Sequence, residues 1–284
     1  MFTFNHAGKI GDILYSLYYC IESSAHSGFS QFNYNIQINK RIIDFGASSL
    51  LPPSPSADNM QPILTEEDAE FLKPLLDSQP YVNSVTALEE PKKGAIDLNS
   101  FRSGVINPNG CEIRDWYYTF NVHTLPRQFW KKIIHVEPNR RYRNKILFTL
   151  TERNVNQNID YNELKAFDRD LVFIGTDREY QTFRKKFFEL DRVELKKDDS
   201  LLTVAEYLAG AKGYLANQSG FFSLAELMKI PRILLPPDFI LSEEGKGGLE
   251  LGPRNNLPLG GWANSVSFTP KMVAAVKELL RLQT

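Results

Sequence analysis

Cysteine is nearly absent from this chain. Cys20 and Cys111 are the only two, and neither belongs to a CxxC pair or a Cys/His cluster. That argues against a structural zinc site and a disulfide framework, and fits a reducing compartment. Surplus charge is missing too. With 33 basic and 34 acidic residues the formal charge is −1, so no overall field gathers nucleic acid or anionic lipid. No apolar stretch approaches the roughly 20 residues a spanning helix needs. The N-terminus enters a strand directly, without a basic segment and an apolar core, so no signal peptide is expected. Neither GxGxxG nor GxxxxGK[ST] occurs, which withholds support from dinucleotide and Walker-type sites. Internal repeats and long low-complexity segments are also lacking. The expectation is a soluble cytoplasmic protein.

What is present is an ordinary globular composition, 42% apolar and 24% charged over 284 residues. That length suits two domains of about 140 residues, each able to bury a core. The first half alternates strand and helix signals. Met1 to Phe4 reads as a buried strand, and a helix is expected from Ile13, where Leu14, Leu17, Tyr18 and Ile21 recur at helical spacing. NYNIQIN (Asn33 to Asn39) alternates like a strand, and a proline-rich loop runs from Leu51 to Pro62. Thr65, followed by three acids, opens a helix that carries Phe71, Leu72, Leu75 and Leu76 inward. VNSVTAL and AIDLN read as short strands, and an aromatic helix is expected over Ile113 to Phe120.

The basic run NRRYRNK (Asn139 to Lys145) reads as a solvated linker, with a phosphate- or membrane-facing patch as the sharper alternative. A second alternating series follows. KILFTL, DLVFIGT, VELK, GYLAN and PRILLPP are strands. Asn162 to Phe167, REYQTFRKKFFEL, SLLTVAEYLAGA, SGFFSLAELMK and TPKMVAAVKELLRL are helices. Such alternation predicts parallel sheets covered on both faces. The expected division is 1–138 and 139–284.

Two glycine-bearing strand-to-helix turns stand out, one per half. NHAGKIGD places Gly8, Lys9 and Gly11 before Asp12, with His6 in the same loop. ANQSG places Asn217, Gln218, Ser219 and Gly220 at a helix N-terminus, whose amides and dipole suit a phosphate. Glu226, two turns later, is a candidate for ribose hydroxyls. Each feature also has a plainer use, since Asp12 and Ser219 could simply cap their helices and a histidine beside a strand end often serves the fold. The acids of DRD, Asp168 and Asp170, precede a strand at its N-terminal end, away from the edge where ligands bind, so they are read as solvated rather than metal-binding. Gly245 to Gly261 reads equally as a flap or an ordinary loop.

Together the two turns resemble glycosyltransferase family 9, the ADP-heptose:lipopolysaccharide heptosyltransferases. IGDILYSL resembles the family's opening motif, and AEYLAGAKGYLANQSGFFSLAELMKIPRILL its donor-site segment. FIGTD, containing Gly175, lies one strand–helix unit earlier, and IDLNSFR is similar to a segment of the family's N-terminal half. The resemblance implies a GT-B fold, in which two Rossmann-like domains face across a cleft. The acceptor side would lie on residues 1–138 and the nucleotide-sugar side on residues 139–284. It implies an inverting transfer without a metal or other cofactor, with a nucleotide-diphosphate sugar as donor and a glycan or lipid-linked acceptor. No nucleic-acid partner is implied, and contact with a membrane surface remains compatible. Asp12 falls on the family's catalytic aspartate, with His6 as a second base candidate; Gln218, Ser219 and Gly220 fall on its phosphate loop.

The chain departs from the family in two places. Phe222 or Ser223 stands where a histidine is usual, and TERNVNQN replaces a lysine-bearing loop, leaving Arg153 as the cation. These differences bear on the heptose donor rather than on the fold. Two other readings stay open: a nucleotide-sugar epimerase or hydrolase, and a non-catalytic protein that binds a nucleotide or carbohydrate.

Overall fold

The computed structural model describes residues 1–40, 64–99, 117–118, 131–152, 155, 159–196, 199–217, 219–235 and 276–277. The chain forms two compact units, Met1–Phe129 with Ser200–Leu202, and Trp130–Asp199 with Thr203–Thr284. Each carries one parallel sheet, so the architecture is α/β.

In the first unit, β1 (Thr3–His6), β2 (Phe32–Gln37), β3 (Val82–Leu88) and β4 (Ile96–Asp97) line up in the order β3-β2-β1-β4. All their pairings are parallel. The helix α1 (Ile10–His26) joins β1 to β2, burying Ile13, Leu14, Leu17 and Tyr18. It begins three residues earlier than its apolar spacing suggests. Asp12 is the reason: from the third helical position its Oδ2 accepts the Lys9 N–H at 2.9 Å, satisfying an amide at the helix start. Gly11 is therefore helical rather than part of the turn. The helix α2 (Glu66–Asp77) starts as read, with Thr65 Oγ1 accepting from Asp68 N–H at 3.2 Å and Asp68 Oδ2 accepting in return from Thr65 N–H at 2.9 Å. Leu72, Leu75 and Leu76 are fully buried, and Phe71 is half-buried.

In the second unit, β5 (Ile146–Thr149), β6 (Leu171–Gly175), β7 (Asp191–Glu194), β8 (Gly213–Asn217) and β9 (Arg232–Leu235) take the order β7-β6-β5-β8-β9, again all parallel. Strands covered on both faces need continuous apolar runs, and ILFT and LVFIG are buried at every residue. DRVE, at the edge, is mostly exposed; its charges discourage pairing with another sheet. The helices are α3 (Asp177–Lys186), α4 (Leu201–Gly210) and α5 (Gly220–Leu227). An aromatic core sits on one face. Phe148 meets Phe173 and Phe183 edge-on at 5.7 and 5.2 Å, pairs that each add about 0.5–1.5 kcal/mol beyond burial. Phe187 and Phe188 fall beyond the end of α3 rather than within it, yet both rings still pack on Phe183. Asn162 to Phe167 belongs to a 3-10 helix, Tyr161–Phe167, capped by Asp160.

The basic run exposes Arg140, Arg141 and Arg143 to solvent, as expected, but it is folded rather than extended. Arg140–Tyr142 forms a 3-10 turn with Tyr142 buried, and Asn139 N–H donates to Glu206 O at 2.9 Å. A Cβ on Gly210 would lie 2.0 Å from Asn139 O, so glycine lets this turn press against the end of α4. Of the aromatic helix expected over 113–120, Tyr117 and Tyr118 are helical and buried. Of the closing helix, Val276 and Lys277 are helical. The rest of both stretches, Cys111, the proline-rich loop and Gly245 to Gly261 lie outside the described residues.

Candidate functional site

An open parallel sheet binds ligands beyond the carboxyl ends of its strands, where the strand order reverses. In the first sheet the chain moves outward from β1 through β2 to β3, then returns to place β4 on the other side of β1. The reversal therefore lies at the end of β1, which is His6 and the turn Ala7–Lys9. In the second sheet β5 has β6 on one side and β8 on the other. The reversal there lies between Thr149 and Asn217. Both sequence-selected turns occupy these points.

At the first point a hydrogen-bonded chain fixes the turn. Gly8 N–H donates to His6 Nδ1 at 2.7 Å, which makes Nδ1 an acceptor and leaves the ring proton on Nε2. Nε2–H then donates to Tyr117 Oη at 2.8 Å, and the Tyr117 hydroxyl donates to Asp12 O at 2.8 Å. Both His6 nitrogens are thus engaged in the fold, and the ring is fully buried between Tyr34 and Tyr117. In this arrangement no lone pair of the His6 ring faces outward. Gly8 is glycine for space. A Cβ there would lie 2.3 Å from His6 Cε1 and 2.7 Å from Asp12 Cβ. Asp12 and Lys9 are partly exposed, and Gly11 lies between them in the first turn of α1.

Beside this turn lies a cluster that sequence reasoning missed. Ala7 N–H donates to Asn99 Oδ1 at 2.6 Å, and Asn99 Nδ2 donates to Gln37 Oε1 at 2.6 Å and to Asp97 Oδ1 at 2.7 Å. A layer deeper, Asn35 Nδ2 donates to Asn5 Oδ1 at 2.9 Å. The available signal was the amide side chains of NYNIQ, at buried strand positions where apolar residues are usual.

At the second point Asn217 is fully buried. Its Oδ1 accepts from Thr151 N–H at 3.0 Å and from Thr151 Oγ1 at 3.2 Å, while Nδ2 donates to Thr151 O at 2.7 Å. It was expected to touch substrate; instead it clamps the loop after β5 to the end of β8. Ser219 caps α5, its Oγ accepting from Phe222 N–H at 3.3 Å. Helix geometry leaves the preceding amides, including that of Gly220, without intrahelical acceptors. Arg153 and Gln218 lie outside the described residues.

Glu226 also departs from expectation. It is fully buried, with Oε2 3.9 Å from Arg232 Nη2, and Arg232 is itself fully buried over the Phe222 ring. Six residues along a helix is about 9 Å from its start, so the carboxylate points into the fold and not toward a ribose at Ser219. Gly175 ends β6, where a Cβ would lie 2.8 Å from Phe173 Cε1. Thr176 and Glu179 then form a reciprocal cap for α3, a role in folding. Asp170 immediately precedes β6, at the N-terminal end of the strand as read. Among the described residues no three His, Cys, Asp or Glu side chains are grouped to hold a metal, and no helix is long and apolar enough to cross a membrane.

No family profile and no curated protein matches the sequence. Solved structures do match the fold. An ADP-heptose lipopolysaccharide heptosyltransferase II from E. coli superposes with a TM-score of 0.61 at 13% identity, over 100% of this chain and 99% of that one. A glycosyl transferase of family 9 from Veillonella parvula DSM 2008 gives 0.59 at 12%, over 100% and 97%. The iron-containing dodecameric glycosyltransferase TibC from enterotoxigenic E. coli H10407 gives 0.58 at 13%, over 100% and 76%. Over its whole length, this chain shares the fold of family 9 glycosyltransferases and ADP-heptose heptosyltransferases.

Proposed function

We propose that the protein is an inverting, metal-independent glycosyltransferase that moves a sugar from a nucleotide-diphosphate donor to the hydroxyl of a glycan or other acceptor in the cytoplasm. The observation that carries this reading is the coincidence of two turns with two strand-order reversals. The Ala7–Lys9 turn, with Asp12 in the helical turn that follows it, occupies one, and the stretch from Asn217 to the start of α5 at Gly220 the other.

Asp12 is the base. Its carboxylate takes the proton of the acceptor hydroxyl as the new oxygen–carbon bond forms at the anomeric carbon. The old bond to the diphosphate breaks on the opposite side, and its electron pair leaves with the diphosphate. A positioned base of this kind contributes on the order of 10²–10⁴-fold. The leaving diphosphate is held at the start of α5 by Ser219 and Gly220, with Gln218 and Arg153 as the further contacts that the family resemblance implies. Donors aimed at developing charge are the largest single source of stabilisation in many such reactions. Lys9, at the end of the acceptor turn, and Gly11, in the first turn of α1, flank the acceptor. His6, Asn217, Gly175 and Glu226 have no direct part: His6 shapes the base turn, Asn217 the donor turn, and the other two the fold.

The test is calorimetry of the full chain with ADP, UDP, GDP and CDP in EDTA, repeated on Gly220→Val. Binding of one diphosphate in EDTA, lost in the folded variant, is expected. Binding only with Mg²⁺ or Mn²⁺ would overturn metal independence, and unchanged affinity in the variant would overturn the site. Slow hydrolysis of the matching nucleotide sugar separates an enzyme from a protein that only binds.

A further inference from the structure

We infer that Gln37, Asn99 and Asp97 form a subsite for a neutral, hydroxyl-bearing ligand, the acceptor of the reaction proposed above, on which this assignment rests. The decisive group is the Gln37 carboxamide at the end of β2. It is 1% exposed, and among the described residues its Nε2 has no hydrogen-bond partner.

Its orientation is fixed by its neighbours. Ala7 N–H can only donate, so the Asn99 atom facing it at 2.6 Å is the oxygen. Asn99 therefore turns its NH2 toward Gln37 and Asp97, and Gln37 must answer with Oε1. The amide left over is a donor. Burying a donor without a partner is unfavourable, and folded proteins keep few of them. An apolar side chain of similar length at position 37 would remove that cost, whereas a ligand oxygen would repay it.

The cluster also defines the ligand's chemistry. Asp97 is exposed, and its Oδ1 accepts from both the backbone and side-chain amides of Asn99 at 2.9 and 2.7 Å. Among the described residues Oδ2 takes no donor. One Asn99 NH2 thus holds a donor-bearing side chain and a carboxylate within one hydrogen bond of itself. A hydroxyl both accepts and donates, so it satisfies Gln37 Nε2 and Asp97 together. A phosphate or carboxylate could accept from Gln37 but would meet the charge of Asp97. A cation could pair with Asp97 but could not accept from Gln37. The matching class is a neutral polyol such as a sugar ring. The cluster adjoins the Ala7–Gly8 turn, so a ligand here sits at the same strand-order reversal as Asp12.

The experiment is NMR on the unmodified, ¹⁵N-labelled full chain, reading the Gln37 side-chain amide during titration. The probes are the methyl glycosides of glucose, galactose and mannose, then glucuronate, each taken to its solubility limit. At least one neutral glycoside should shift that resonance, glucuronate should not, and Gln37→Met and Gln37→Glu should each weaken binding at least tenfold. No shift with any probe, an equal shift with glucuronate, or unchanged affinity in a folded Gln37→Met protein would overturn the assignment. A parallel ADP titration, read at the Ser219 and Gly220 amides, keeps the two ideas apart. Shifts there without any at Gln37 leave the donor site standing and remove this subsite. Shifts at Gln37 with no nucleoside diphosphate acting at Ser219 do the reverse.

Discussion

His6 and Tyr117, 111 residues apart in sequence, share a 2.8 Å hydrogen bond that ties the first strand to the carbonyl of Asp12. The ring of Tyr117 packs on His6 at 5.5 Å, so the hydroxyl can be removed without removing the packing. Tyr117→Phe leaves the buried His6 N–H without its acceptor, which should cost about 1–3 kcal/mol. Because the turn holding Asp12 loosens, kcat on the true substrate should fall while nucleotide affinity in the second unit stays the same. Thermal unfolding and a separate measurement of kcat and nucleotide Kd check both parts. Equal loss of binding and turnover would mean that the chain does no more than support the fold.

Gly8→Ala probes the same turn from inside. The added methyl would lie 2.3 Å from His6 Cε1, so ring or backbone must shift. Overpacking of this kind costs about 1–3 kcal/mol. Chemical denaturation should register that loss, and an unchanged midpoint would show that the turn has slack.

Stability should fall in alkali, and more in the first unit. Burial pushes the Cys20 thiol and the Tyr34 and Tyr81 hydroxyls well above their ordinary values. Tyr214 in the second unit is raised by the same cause. A raised acid stays neutral in the folded chain while the unfolded chain ionises. Its stabilising effect is therefore complete below the unfolded pKa, about 8.5 for Cys and 10 for Tyr, and is lost as pH rises toward the folded value. Each group contributes about 1.4 kcal/mol per pH unit in that window. Melting curves from pH 7 to 11 should show the decline beginning near pH 9; a flat profile would contradict it.

Much of the fold was legible because buried parallel strands are written as unbroken apolar runs. ILFT and LVFIG need no partner to be recognised. The two turns were legible through their glycines and their place between strand and helix. What stayed hidden depends on distant partners. Nothing local to His6 reveals that Tyr117 holds its ring, and nothing in ANQSG reveals that Asn217 spends its carboxamide on Thr151. The start of α1 was misplaced because Gly11 argues against helix, while the bond from Lys9 N–H to Asp12 argues more strongly for it. Glu226 looked like a ribose ligand by its position in a motif, and its burial against Arg232 comes from a separate strand.

That pair gives a further prediction. Glu226→Gln alone takes from the buried Arg232 charge the carboxylate that faces it at 3.9 Å and should cost about 3–5 kcal/mol. Combining it with Arg232→Met should restore most of the loss, since replacing both members of a buried pair is often close to neutral. Nucleotide affinity should be unchanged in the double variant. A weakened ADP Kd in a stable double variant would return Glu226 to the ribose.

Asp12 has two roles that two substitutions separate. Its Oδ2 accepts the Lys9 N–H at the start of α1, and the proposed chemistry asks the same carboxylate to take a proton. Asparagine keeps an oxygen for Lys9 but cannot act as a base. Alanine keeps neither function. Asp12→Asn should therefore unfold like the parent and bind nucleotide as tightly, yet lose roughly 10²-fold or more in turnover. Asp12→Ala should lose the turnover and also about 1 kcal/mol of stability, the usual size of a helix-start side-chain bond. If Asp12 only organised the helix, the order of effects would reverse: asparagine would be nearly harmless, and alanine would act on stability alone. Matched unfolding curves and turnover on the true substrate decide between the two roles. An Asp12→Asn protein that turns over normally would leave the carboxylate as a helix cap.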